Sequence, residues 1–159
     1  MTIPGALVTF VQPWATLYGN SQPVSLGVVF LHLSGVMVGG GRAIAADADV
    51  LGAIIPDRAL VDRLGRAHRV VIPAFVVTAM TGLLLAAADV ETFAGSSAFL
   101  LKLTSVGLLS FNGLLLWTAE RRLARDGSAG WGLTRFAAAA SLALWLLTLL
   151  AGCWLRVAG

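Results

Sequence analysis

The chain has one cysteine, one tyrosine, one lysine and two histidines, and only 12% of its 159 residues are charged. Each scarcity excludes something. Cys153 has no partner for an internal disulfide, and beside Trp154 in an apolar segment it reads as a buried, inert thiol. There is no CxxCH motif, so covalent c-type haem is excluded. No basic n-region opens the chain, and Pro4, Gln12, Pro13 and Asn20 interrupt its first apolar run, so a signal peptide is not expected. Apolar residues do not alternate with period two, which argues against a membrane β-barrel. No internal repeat is evident.

What is present is apolar side chain: 58% of residues are hydrophobic. Four stretches, about Val24–Gly41, Val70–Ala88, Ala98–Thr118 and Leu133–Trp154, approach or reach the ~20 residues a helix needs to cross the hydrocarbon core. The expected fold is therefore all-α, an integral membrane four-helix bundle forming a single domain over residues 1–159. Residues 6–18 carry Leu7, Val8, Phe10, Val11, Trp14, Leu17 and Tyr18 and predict a short interfacial helix before the first span.

The net charge of +3 follows from topology rather than from a nucleic-acid partner. Arg42, Arg58, Arg63, Arg66 and Arg69 fall in the 42–69 connection, and Arg121, Arg122 and Arg125 follow the third span. The 89–97 connection has only Asp89 and Glu91. The positive-inside rule puts both Arg-rich connections in the cytoplasm and both termini outside, in a bacterial inner membrane. Within 42–69, Pro56 and Asp57 start a helix that runs through Leu60, Leu64 and Ala67 into the second span. Arg58–Asp62 and Asp62–Arg66 have the spacing of surface ion pairs. Ser96 or Ser97 is placed to cap the third span, and Asp126-Gly127-Ser128 reads as a turn.

Ionisable groups inside such segments are costly and mark candidate sites. His32 lies about eight residues into the first span, ~12 Å below its edge at the rise of an α-helix. Lys102 lies early in the third span and so shares the outer half of the membrane, or snorkels to the outer interface. His32 either hydrogen-bonds another helix or ligates a metal or haem iron. Met80 matches His32 in depth, which allows His–Met ligation of a b-type haem; Met as core filler is the plainer reading. Gly35 and Gly39 form a small-xxx-small pair that admits another helix backbone or a flat cofactor. Asn112, deep in the third span, predicts an interhelical hydrogen bond, and Thr78, Thr81, Ser105 and Ser110 extend a polar seam. His68, between Arg66 and Arg69 at the cytoplasmic mouth of the second span, reads as an interfacial residue too far from His32 to clamp one haem. Arg135 is expected to snorkel or to pair with an acid such as Asp47.

His32-Leu-Ser-Gly35, Gly41, Asp47-Ala-Asp49-Val-Leu-Gly52, Thr81-Gly82-Leu-Leu-Leu85, Phe99-Leu-Leu-Lys102 and Asn112 together resemble an uncharacterised family of small bacterial four-helix membrane proteins. The chain departs from that pattern with Asp49 where an arginine is usual. More distantly, the layout is similar to HemJ-type protoporphyrinogen oxidases and to CopD-type copper-resistance membrane domains. The first of these resemblances implies haem b, with His32 and Lys102 matching its first-span histidine and third-span lysine. Asn112 stands where that family tends to have another histidine. Three functions are thus expected: a haem-binding, redox-linked membrane protein with His32 as iron ligand and Lys102 on a carboxylate; a non-catalytic subunit of a larger electron-transfer or photosynthetic assembly; or copper transport. No catalytic residue is assigned.

Overall fold

The computed structural model describes residues 5–127 and 129–158. Its elements are α1 (Gly5–Asn20), α2 (Gln22–Gly35), a π-helical turn (Val36–Gly40), α3 (Gly41–Gly52), α4 (Arg58–Ala88), α5 (Val90–Ala94), α6 (Ser97–Asp126) and α7 (Trp131–Ala158). Four helices are long and apolar enough to cross a membrane: Gln22–Gly52, Arg58–Ala88, Ser97–Asp126 and Trp131–Leu155. At 16 residues, α1 is not among them.

Local chemistry sets most boundaries. The Asp57 carboxylate accepts the Leu60 N–H at 2.6 Å, so α4 starts where Pro56 and Asp57 predict. Asp89 caps α5 through the Thr92 N–H at 3.3 Å, and Ser96, not Ser97, caps α6 through Phe99 at 3.4 Å. Gly127 takes φ +67° and ends α6, a conformation that glycine adopts without steric cost. Ser128, the third residue of the predicted turn, lies outside the described residues.

The first span differs from expectation. It does not stop near Gly41; α2, the π turn and α3 form one continuous rod to Gly52, and only residues 53–57 separate it from α4. The widened turn falls on Gly39 and Gly40, where missing side chains let the backbone expand while neighbouring helices stay close. Most of the expected 42–69 connection is therefore helical.

Helix α7 packs along α6 on one side and α3 on the other, and α2–α3 packs along α4. Contacts between α4 and α6 are sparse, so the ring of four is open along that seam. Large apolar side chains face outward: Phe30 is 65% exposed, Phe111 61% and Leu150 64%. Small and polar ones, Ala119, Ala137, Thr134 and Ser105, are buried. That inversion suits lipid, where close backbone packing and interhelical hydrogen bonds replace a hydrophobic driving force. The α1 helix lies against α2 and α4, fastened by the Trp14 Nε1–H donating to the Leu84 carbonyl at 2.7 Å. Leu84 is near the end of α4 remote from the Arg-rich connections, so α1 belongs to the opposite end of the bundle.

Candidate functional site

His32 is buried between α2 and α4. Its Nδ1 lies 3.1 Å from the Thr78 carbonyl oxygen and 3.2 Å from Thr81 Oγ1. Thr81 Oγ1–H donates to the Val77 carbonyl at 2.6 Å, so it presents an acceptor to the ring. Nδ1 therefore carries the proton and donates to Thr78. Gly82 makes room for the imidazole: a Cβ there would sit 3.2 Å from His32 Cε1. Lys102 is half-buried on α6, and its ammonium lies over Gly152 of α7. Among the described residues no hydrogen bond links it to His32.

The other residues grouped with them do not join them. Gly35 faces Thr78 Oγ1 and the Ala74 carbonyl, and a Cβ on Gly39 would come 2.9 Å from Ala74 Cβ. Both glycines thus serve the close approach of the first rod to α4. Met80 is 58% exposed, and it is turned by about 200° from Thr78, two residues away, and by about 100° from Thr81, its neighbour, the two residues that His32 contacts. It does not face His32. Asn112 donates from Nδ2 to the Ala137 carbonyl at 2.9 Å, tying α6 to α7.

A second polar cluster lies at the Arg-rich end, and it corrects the interfacial reading of His68. The stripe Leu60, Leu64, Ala67 continues through His68, Val71 and Phe75, whereas Arg66 and Arg69 face out. His68 Nδ1–H donates to Glu120 Oε2 at 3.0 Å, across the open seam between α4 and α6. Asp47, 2% exposed, faces the pair from α3 with the Ser141 hydroxyl of α7 beside it. Arg135 does not reach Asp47; it donates to the Leu51 carbonyl at 3.4 Å and lies over the Trp131 ring. Nor do the expected Arg58–Asp62–Arg66 pairs appear among the described residues; Arg63 pairs instead with Asp49 at 3.3 Å.

These groups form the polar end of a cleft of about 480 Å³. Ile72, Val76, Gly113 and Leu114 edge it, Leu109 and Trp145 line its depth, and Asp47, His68, Glu120 and Ser141 close the Arg-rich end. Two carboxylate oxygens in it, Asp47 Oδ2 and Glu120 Oε1, are buried and accept no hydrogen bond from any described residue. Glu120 and Ser141 escape sequence reasoning. Their signal is helical spacing: Asn112, Leu116 and Glu120 recur every four residues on one apolar stripe of α6.

Among the described residues no group of three or more His, Cys, Asp or Glu side chains is arranged to hold a metal ion. No family model, curated protein or solved structure matches this chain.

Proposed function

We propose that this is a multi-pass membrane protein that binds a lipid-soluble small molecule in the α4–α6 cleft, with hydrogen-bond donors of the ligand on Asp47 and Glu120. The observation that carries the reading is the pair of unpartnered carboxylate oxygens at the end of an apolar cavity. A buried acceptor without a donor costs about 1–3 kcal/mol. Asp47 and Glu120 both line the cavity, and a side-chain rotation that turns either oxygen into it would let a hydroxyl or amine donor on an apolar body satisfy the acceptor. The volume falls within the range of small-molecule pockets, roughly 300–1,000 Å³. The opening between α4 and α6 faces the hydrocarbon, so such a ligand enters sideways from the bilayer. With the Arg-rich connections in the cytoplasm, the polar end lies at the inner leaflet.

Decyl-hydroquinone and its dimethyl ether test this, because only the first carries donors. Trp117 and Trp145 line the cleft and report occupancy by fluorescence quenching. The hydroquinone should bind about tenfold or more tighter than the ether, the worth of one net hydrogen bond of ~1.4 kcal/mol. Asp47→Leu should reduce the difference, and Asp47→Leu with Glu120→Leu should erase it. Equal binding of the two probes to the unaltered protein overturns the reading.

A second reading, haem b on His32, is favoured by one observation. The Nδ1–H bond to the Thr78 carbonyl leaves Nε2 free, as in imidazoles that ligate metals. A macrocycle lying on the Gly35–Gly39 face would require α4 to move off those glycines. A Soret band that vanishes in His32→Ala would establish this reading, and its absence from protein purified with haem supplied would dismiss it.

A further inference from the structure

The α4–α6 seam has an outer side as well as an inner one. Outside the His68–Glu120 bridge lies a crevice of about 560 Å³ that includes Val61, Gly65, Arg69, Pro73, Arg121 and Ala124. His68, Ile72, Trp117 and Glu120 belong to both spaces, so the bridge is the partition between them. Arg69 and Arg121 approach the crevice from opposite helices. Neither makes an ion pair among the described residues. Arg121 is held over the Trp117 indole, its guanidinium carbon 3.7 Å from the ring centroid, which orders a side chain that would otherwise sweep a wide arc.

We infer that this crevice is a headgroup site for an anionic membrane phospholipid, with the phosphate between Arg69 and Arg121 and an acyl chain along the apolar flank of the α4–α6 seam. Three features specify that occupant. Two unpaired guanidinium groups on facing helices match a phosphate, which accepts bidentate hydrogen bonds. In sequence both arginines flank the apolar stretches, Arg69 just before Val70–Ala88 and Arg121 three residues after Ala98–Thr118, which suits headgroup depth rather than chain depth. From Ile72 in the crevice, the exposed apolar side chains of Val76 and Leu114 at the mouth of the neighbouring cleft lead towards the middle of the membrane, where a chain must run. A free phosphate would use only the first of these. The inference does not depend on a ligand in the inner cleft: the two spaces meet at the bridge, and the arginines belong to the outer one alone.

The test is native mass spectrometry of the purified protein after equilibration with equal amounts of phosphatidylglycerol and phosphatidylcholine. The unaltered chain should retain the anionic lipid several-fold over the zwitterionic one. The double variant Arg69→Gln, Arg121→Gln should lower that preference towards unity while keeping its helix content. Arg58→Gln with Arg125→Gln removes the same charge from exposed positions outside the crevice and should leave the preference in place. Inorganic phosphate at millimolar concentration should not displace the lipid. The inference is overturned by lack of preference in the unaltered chain, by equal loss in both double variants, or by displacement with inorganic phosphate. Because Asp47→Leu leaves both arginines in place, it should retain the lipid preference even where it weakens hydroquinone discrimination, so the two readings fail separately.

Discussion

His68 and Glu120 meet at 3.0 Å across the one seam of the bundle where the helices otherwise barely touch. The pair therefore does a task that side-chain packing does elsewhere: it holds α4 and α6 at a fixed separation at the Arg-rich end. Removing the imidazole in His68→Ala should destabilise the fold by roughly 1–3 kcal/mol, since Glu120 is then buried with neither oxygen partnered. A double-mutant cycle with Glu120→Ala, followed by unfolding in mixed micelles, should give a coupling energy of at least about 0.5 kcal/mol. Strict additivity would show that the contact contributes nothing.

Asp47 should oppose function and stability to each other. Asp47→Leu replaces a buried carboxylate carrying an unpartnered oxygen with an apolar side chain of similar size. The variant should be as stable as the parent or more so, by about 1 kcal/mol, while losing part of its discrimination between hydroquinone and ether. Thermal unfolding measured beside probe binding checks both halves, and a less stable variant would mean that the Asp47 carboxylate holds the bundle together instead of waiting for a ligand.

Glycines in the first rod should differ sharply among themselves. Gly35→Ala brings a methyl against Thr78 Oγ1 and the Ala74 carbonyl, and the expected cost is about 1–3 kcal/mol of overpacking. Gly27→Ala meets nothing within 4 Å and should be neutral or slightly stabilising. Denaturation midpoints of the two variants, run side by side, decide the matter.

Asn112→Leu should lower stability by roughly 1 kcal/mol through loss of the bond to the Ala137 carbonyl, within the range measured for interhelical hydrogen bonds in bilayers. It should leave lipid retention at Arg69 and Arg121 unchanged. Altered retention would show that the α6–α7 contact and the α4–α6 seam are coupled.

Trp14→Phe removes the donor that ties α1 to Leu84 while keeping an aromatic ring. Hydrogen–deuterium exchange should rise in residues 5–20 and stay unchanged in the four long helices. Exchange that rises throughout would mean that α1 is integral to the bundle instead of laid against it.

The four long helices are legible in the sequence because their signals are local. Runs of leucine, valine and alanine, Asp57 and Ser96 at helix starts and Gly127 at a stop need no knowledge of neighbours. The interhelical roles of Asn112 and His32 are legible too, since a polar group deep in such a helix must find a partner. The cluster at the Arg-rich end is not, for a different reason. His68 sits near two arginines in sequence but faces another way on the helix, so adjacency suggests an interface while its side chain points inward. Glu120 precedes Arg121 and Arg122 and passes for one more flanking charge until α4 is placed opposite it. Which helix borders which is information that hydropathy does not carry. Met80 shows the same limit: a depth matching that of His32 says nothing about angle.

The wide turn at Val36–Gly40 sets the angular phase between the two halves of the first rod. A π turn accommodates about one residue more than an α turn, so the chain beyond it is rotated by roughly 100° relative to an uninterrupted helix. His32 lies before that offset and Asp47 after it, and both are buried. Deleting one residue there would remove the wide turn and leave Asp47 in its present phase, whereas an unbroken α-helix of unchanged length would swing it by about a quarter turn. The alignment of the two polar stations within one bundle thus depends on a counting irregularity in a glycine-rich stretch that contains neither of them.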